Sequence, residues 1–182
     1  MKITTTNIPG VLIIEPNIFN DSRGYFFESY NYEKYSEFGI NDDFVQDNES
    51  YSVKGVLRGL HYQLPPFTQS KLVRVIKGKI LDVAVDIRKS SPYFGEYVSV
   101  ELSDENKKQF YIPRGFAHGF VVLSDEVIFA YKCDNIYSPK HARGIMYNDP
   151  NININWNTDL SNVILSDKDK LNPLLKDAEV FI

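Results

Sequence analysis

Lys71-Leu72-Val73-Arg74-Val75-Ile76, the pair Lys77-Gly78, and Lys79-Ile80-Leu81-Asp82-Val83-Ala84-Val85-Asp86-Ile87 make two β-rich runs separated by a glycine-containing break. Alternating runs of this kind around a two-residue turn predict a β-hairpin. With two central residues in the turn, Lys71 is expected opposite Ala84 and diagonal to Asp82 and Asp86. One face is then mixed, carrying Lys71, Val73, Val75, Ile80, Asp82, Ala84 and Asp86. Leu81, Val83, Val85 and Ile87 share the other face with Leu72, Arg74 and Ile76, and that face reads as packing surface. Two arrangements fit: a barrel wall lining a polar cavity, or a solvent-facing sheet with a surface ion pair.

Further short strands are expected at Tyr97 to Leu102, Gln109 to Ile112, Phe116 to Leu123 and Val127 to Cys133, with polar turns between them. That spacing means a sandwich or a barrel. The turn Ser124-Asp125-Glu126 is expected to lay the strand carrying His118 against the one carrying Tyr131, in a register that local sequence leaves open. The clearest helix is residues 31 to 38, with Tyr32, Tyr35 and Phe38 at helical spacing and Gly39 placed to end it.

The chain has 182 residues, 43% of them hydrophobic, and no repeat or Pro/Gly/Ser linker, so a single domain over 1–182 is expected. Twelve Tyr and twelve Phe favour strands over a helical bundle. A net charge of −4 with scattered Lys and Arg argues against nucleic-acid binding. No apolar run reaches the ~20 residues of a membrane span, and the first residues lack a signal-peptide core, so no membrane partner and a cytoplasmic location are expected. Cys133 is the only cysteine and reads as a small buried residue. Asn48-Glu49-Ser50 fits a glycosylation sequon, a chance match without a secretory signal.

Val56-Leu57-Arg58-Gly59-Leu60-His61-Tyr62-Gln63 sets one of three histidines near an arginine in a strand-like setting. His61 is either a general base beside a fixed cation or a satisfied core histidine. Pro113-Arg114-Gly115-Phe116-Ala117-His118 has the form of the second sequence box of cupins, the small double-stranded β-helix proteins. Metal-binding cupins carry His-x-His and Glu in the first box. Here the first box is His61-Tyr62-Gln63, and His141 lies in a polar turn region. Two histidines without a nearby carboxylate rarely make a transition-metal site, so no catalytic metal is expected.

Over nearly its whole length the chain resembles the dTDP-4-dehydrorhamnose 3,5-epimerases. The matching segments are Asp21 to Glu28, Phe44 to Asn48, Gly55 to Gln63, Lys71 to Val75 and Asp82 to Arg88. They continue through Ser90 to Gly95, Ile112 to Gly119, Tyr131-Lys132, Tyr137 to Pro139, Asn148 to Pro150 and Leu165 to Asp169. The resemblance implies an all-β cupin jelly roll with a few short peripheral helices, its C-terminal segment from about 155 covering the barrel. It also implies cofactor-free inversion of C3 and C5 of a dTDP-linked 4-keto-6-deoxyhexose. The C4 ketone acidifies both protons, so the chemistry needs a base, an acid on the opposite face, and a cation or donor at the enolate oxygen.

By the same resemblance His61 is the base, Asp169 its dyad partner, Tyr131 the acid and Lys71 the cation near O4. Arg23 and Arg58 match diphosphate positions, where a guanidinium fork suits the ligand. Phe26, Glu28, Gln46, Asn48, His118 and Lys168 match contact positions, and Tyr137 matches the aromatic that stacks on thymine. Read without the resemblance, Tyr131 is one aromatic of a β core, and Arg23, Glu28 and Lys168 are solvated charges. Lys140-His141-Ala142-Arg143-Gly144 departs from the family, whose members commonly carry an acidic residue there, and bears on nucleotide preference. The resemblance implies a homodimer in which N-terminal strands, within about residues 1–50, bring Arg23, Phe26 and Glu28 to the neighbouring site. A single-carbon epimerase, a metal-dependent cupin enzyme and a non-catalytic sugar-binding cupin are the competing readings.

Overall fold

The computed structural model describes residues 1–181. Two antiparallel sheets face one another. The first has six strands, in the order β1 (Lys2–Thr5), β2 (Leu12–Glu15), β10 (Gln109–Ile112), β7 (Lys71–Lys77), β12 (Glu126–Cys133) and β5 (Gln46–Val53). The second has five, in the order β13 (Ala142–Gly144), β6 (Leu57–Gln63), β11 (Phe116–Val122), β8 (Lys79–Asp86) and β9 (Tyr97–Ser103). From β5 to β8 each strand crosses to the opposite sheet, and so does each step from β9 to β13, so the chain winds as a jelly roll.

This winding overturns the expected hairpin. β7 and β8 lie in different sheets, and Lys77-Gly78 turns the corner between them. Lys71 pairs with Ile112 and Cys133, while Ala84 pairs with His118 and Val98. Gly78 has φ +86°, and a Cβ there would lie 2.1 Å from the Glu126 carbonyl oxygen, so the corner requires glycine. β11 and β12 are likewise unpaired with each other: β11 lies between β6 and β8, and β12 between β5 and β7. His118 and Tyr131 therefore face each other from opposite sheets.

The alternation nonetheless grouped the residues by face correctly, and of the two arrangements left open the structure turns the mixed face inward. Val73, Val75, Ile80 and Ala84 meet Phe110, Phe120 and Phe129 in the cluster between the sheets. The outward residues separate onto two surfaces. Leu81, Val83, Val85 and Ile87 pack beneath Ile152, Ile154 and Trp156, whereas Leu72 packs with Tyr35, Ile40 and Tyr111. Asp86 does not join Lys71. It holds Arg88 and the Ser91 hydroxyl, each at 2.6 Å.

The helix α1 (Tyr32–Ser36) is shorter than expected, capped by Asn31, whose Oδ1 accepts from the Lys34 N–H, and followed by Gly39 at φ +85°. Of its aromatic positions only Tyr35 is buried, and its hydroxyl donates to Gln109 Oε1 at 2.7 Å. β3 (Phe19–Asp21) and β4 (Gly24–Phe26) form a separate ribbon whose Phe19, Tyr25 and Phe26 are exposed. No helix among the described residues is long and apolar enough to cross a membrane.

The C-terminal segment matters to the site because it carries Asp169 across the five-stranded sheet. It is pinned at Val56↔Ile164, with Leu57 N–H donating to Ile164 O at 3.0 Å. Trp156 is buried in the covering layer and donates Nε1–H to Tyr147 O at 2.9 Å. Trp156→Ala is expected to cost ~3–5 kcal/mol through the void and the orphaned carbonyl. Thermal unfolding would register this as a fall of roughly 10 °C.

Candidate active site

The open end of the jelly roll holds a cavity of about 760 Å³, within the range expected of a small-molecule site. One wall is β6. In a regular strand Arg58 and His61, three apart, would point to opposite faces. Here His118 pairs with His61 and Phe120 with Arg58, so Gly59-Leu60 on β6 oppose the single residue Gly119. This β-bulge reverses the alternation: Leu57 and Leu60 both face the outer cluster, and Arg58 and His61 both line the cavity. Gly59 sits at φ +136°, and a Cβ on it would lie 2.5 Å from Gly119 Cα, so the strands close only over glycine.

His61 Nε2 lies 2.5 Å from Asp169 Oδ1, with the His61 side chain 41% exposed and that of Asp169 only 4%. Burial pushes the Asp169 carboxyl up, but the contact with His61, the Ser166 hydroxyl and the Gly59 N–H outweigh it and hold it below the usual carboxylate range. Asp169 opens a short 3₁₀ turn, Asp169–Leu171, and its own N–H donates to Ser166 Oγ at 3.1 Å.

The opposite wall belongs to the six-stranded sheet. Tyr131 on β12 packs against Phe129, ring centroids 5.6 Å apart, and burial raises its pKa, Arg58 opposing, so it is protonated at neutral pH. Lys71, at the start of β7, reaches the same cavity and makes no ion pair among the described residues. Burial pulls its pKa down, while Cys133 and Asp82 push it back up. Cys133 is itself raised to about 11 by burial and stays a neutral thiol. Deeper in, His118 Nε2 lies 2.9 Å from Asp82 Oδ1. Burial drives Asp82 up and His118 down, and Asp82 Oδ2 is buried without a partner among the described residues.

At the mouth, Arg58 reaches across to β5, Nε donating to Ser52 Oγ at 3.1 Å and Nη2 to Tyr51 O at 3.3 Å. Gln46 Nε2 donates to Asn48 Oδ1 at 2.9 Å. Tyr137 and Lys168 complete the rim. Of the residues singled out from sequence, Arg23, Phe26 and Glu28 are not brought here. Arg23 projects into solvent beside Asp21 at 2.6 Å, Phe26 is 66% exposed, and Glu28 pairs with Lys34 and Asn31.

The histidines are engaged separately: His61 by Asp169, His118 by Asp82, and His141 by Ser138 Oγ through its Nδ1 and by the Phe67 ring. Among the described residues no three His, Cys, Asp or Glu side chains gather as a metal site. Sequence reasoning missed Ser166 and Gly59 as supports of Asp169, because neither signals its role until the C-terminal segment docks. In the divergent 140–144 stretch, Arg143 lines the cavity but is turned to Glu179, at 2.9 Å.

A family model describing dTDP-4-dehydrorhamnose 3,5-epimerase matches residues 5–177. The chain belongs to the dTDP-4-dehydrorhamnose 3,5-epimerase family. A dTDP-4-dehydrorhamnose 3,5-epimerase of Shigella flexneri is 56% identical over 183 residues, spanning 100% of both chains. One from Methanothermobacter thermautotrophicus is 50% identical over 182 residues, covering 100% of this chain and 98% of its own. Among solved structures, the epimerase RmlC of Legionella pneumophila in complex with dTDP-4-keto-L-rhamnose superposes with a TM-score of 0.93. It is 53% identical, over 97% of this chain and 93% of that one. The fold is that of these epimerases.

Proposed function

We propose that this chain inverts C3 and C5 of dTDP-4-dehydro-6-deoxy-D-glucose to give dTDP-4-dehydro-L-rhamnose, within dTDP-rhamnose synthesis. The observation that carries the reading is the His61–Asp169 dyad on one wall of the cavity, with Tyr131 on the wall opposite. His61 takes the proton from carbon, and the electron pair of that C–H bond moves into the enolate, whose charge gathers on O4. Asp169 stabilises the imidazolium and holds its orientation. Lys71 supplies positive charge at O4, where it counts most because the charge appears only as the bond breaks. Tyr131 then returns a proton to the other face, inverting the centre. Both C–H bonds are acidified by the substrate's own ketone, so the reaction calls for no cofactor.

Arg58 and Lys168 suit the diphosphate, Tyr137 the thymine, and Gln46, Asn48 and His118 the polar groups between. A homodimer is part of this proposal, since Phe19, Tyr25 and Phe26 present apolar surface on a ribbon outside the sandwich. In it Arg23, Phe26 and Glu28 serve the neighbouring site. A single catalytic domain, working in the cytoplasm where nucleotide sugars are made, completes the proposal.

Incubation with dTDP-4-keto-6-deoxyglucose in deuterated water tests it: deuterium is expected at both C3 and C5 by NMR. Label at one carbon restricts the enzyme to that carbon, and no label with folded protein rules the proposal out. Tyr131→Phe is expected to keep solvent exchange measurable while net inversion falls by ~10²-fold. Equal loss of exchange and inversion would remove Tyr131 from the role of acid.

A further inference from the structure

Gln63 lines the cavity, yet its side chain is committed elsewhere. It is 4% exposed, and its Nε2 donates to Phe67 O at 2.7 Å and Ile136 O at 3.1 Å. Its Oε1 accepts from the Ser138 N–H at 2.6 Å. Both amide hydrogens are therefore used, and three backbone groups on two different loops depend on one side chain. Nearby bonds tie the same loops: Gln69 Nε2 donates to Asn135 O at 2.7 Å, and Asn135 Nδ2 to Pro66 O at 3.1 Å.

Tyr137 lies between the two residues that Gln63 grips. Its own N–H donates to Gln46 Oε1 at 3.0 Å, so glutamines from β5 and β6 hold three successive residues. The residue they hold at the centre, Tyr137, is 55% exposed. Core packing gains nothing from fixing the backbone beneath an exposed aromatic. Binding does gain, because a stacking surface ordered in advance loses less entropy when the ligand arrives.

We propose that Gln63 is a positioning residue for nucleotide binding: together with Gln46 it locks the 136–138 loop so that Tyr137 is presented as a preformed stacking surface for the thymine of dTDP. This rests on the reading of Tyr137 as the stacking residue. The clasp acts on ground-state affinity and leaves the proton transfers to the residues deeper in the cavity.

A double-mutant cycle on the full-length protein, with dTDP as the probe in calorimetric titration, tests it. Gln63→Met, nearly isosteric, is expected to raise Kd for dTDP about tenfold and KM in step, with kcat held within about twofold. In a Tyr137→Ala background the same substitution is expected to shift Kd by no more than about twofold. Losses that multiply, an unchanged Kd, or a fall in kcat at constant Kd each overturn the clasp. If Tyr137→Ala alone leaves Kd unchanged, the stacking role fails and the clasp with it, an outcome distinct from multiplied losses. Should Gln63→Met not fold, Gln63→Glu keeps the acceptor for Ser138 but, as a carboxylate, donates to neither carbonyl. Its loss of affinity must likewise vanish in the Tyr137→Ala background.

Discussion

His61→Ala is expected to stop proton exchange at both sugar carbons, lowering kcat by ~10³-fold or more while KM changes little. The side chain is exposed enough to reach a ligand, and among the described residues its hydrogen-bond partner is a buried carboxylate 2.5 Å away. Asp169→Asn keeps the shape but removes the charge that favours the imidazolium, and a loss on the order of 10²–10³-fold is expected. The folded-state pKa of Asp169 is depressed, so its stabilising contribution is present above the unfolded carboxylate value of about 3.9 and is lost as pH falls through the folded value. At pH 7 the dyad is therefore intact, and the Asn variant reports on proton transfer in the steady-state rate. Near-normal turnover by His61→Ala would end the assignment of base.

Lys71→Met should cost kcat on the order of 10²–10³-fold with KM nearly unchanged, since the charge it meets exists only as the enolate forms. Stability should move the other way. Burial disfavours the ammonium, no carboxylate among the described residues lies within ion-pair distance to compensate it, and an apolar chain of similar length removes that desolvation cost. An unchanged or raised Tm alongside the loss of rate is the expected signature of a residue kept for chemistry. Lys71→Arg should not restore the rate, because a planar fork cannot stand where a compact ammonium fits. A Lys71→Met enzyme within threefold of normal kcat would show that another group carries the enolate charge.

Much of the site was readable from residue order, through two different kinds of signal. The period-two pattern put Val73, Val75, Ile80 and Ala84 on one face without any relative, and the structure turned that face inward. The resemblance supplied Tyr131, Tyr137 and Lys168, which alone look like core or surface. Register was not readable. Lys77-Gly78 looks the same whether the chain folds back into one sheet or turns a corner into the other, because both choices leave the same faces inside. The bulge at Gly59-Leu60 was equally silent, since it exists only as the mismatch of β6 against β11.

The amino-acid sequence alone determined the β-rich class, the division of its central strands into two faces, the likeness to the epimerases and the chemical types available to a site. Those properties are local, set by side-chain alternation and by motifs read in order. Tertiary structure alone decided which strands pair, which way Arg58 and His61 point, and that Asp169, 108 residues beyond His61, closes the dyad. It also decided that Gln63 holds a loop and that Arg23, Phe26 and Glu28 stand away from this chain's own cavity. Pairing and docking are settled by the burial of whole faces across long sequence separations, and no short stretch of residues carries that information.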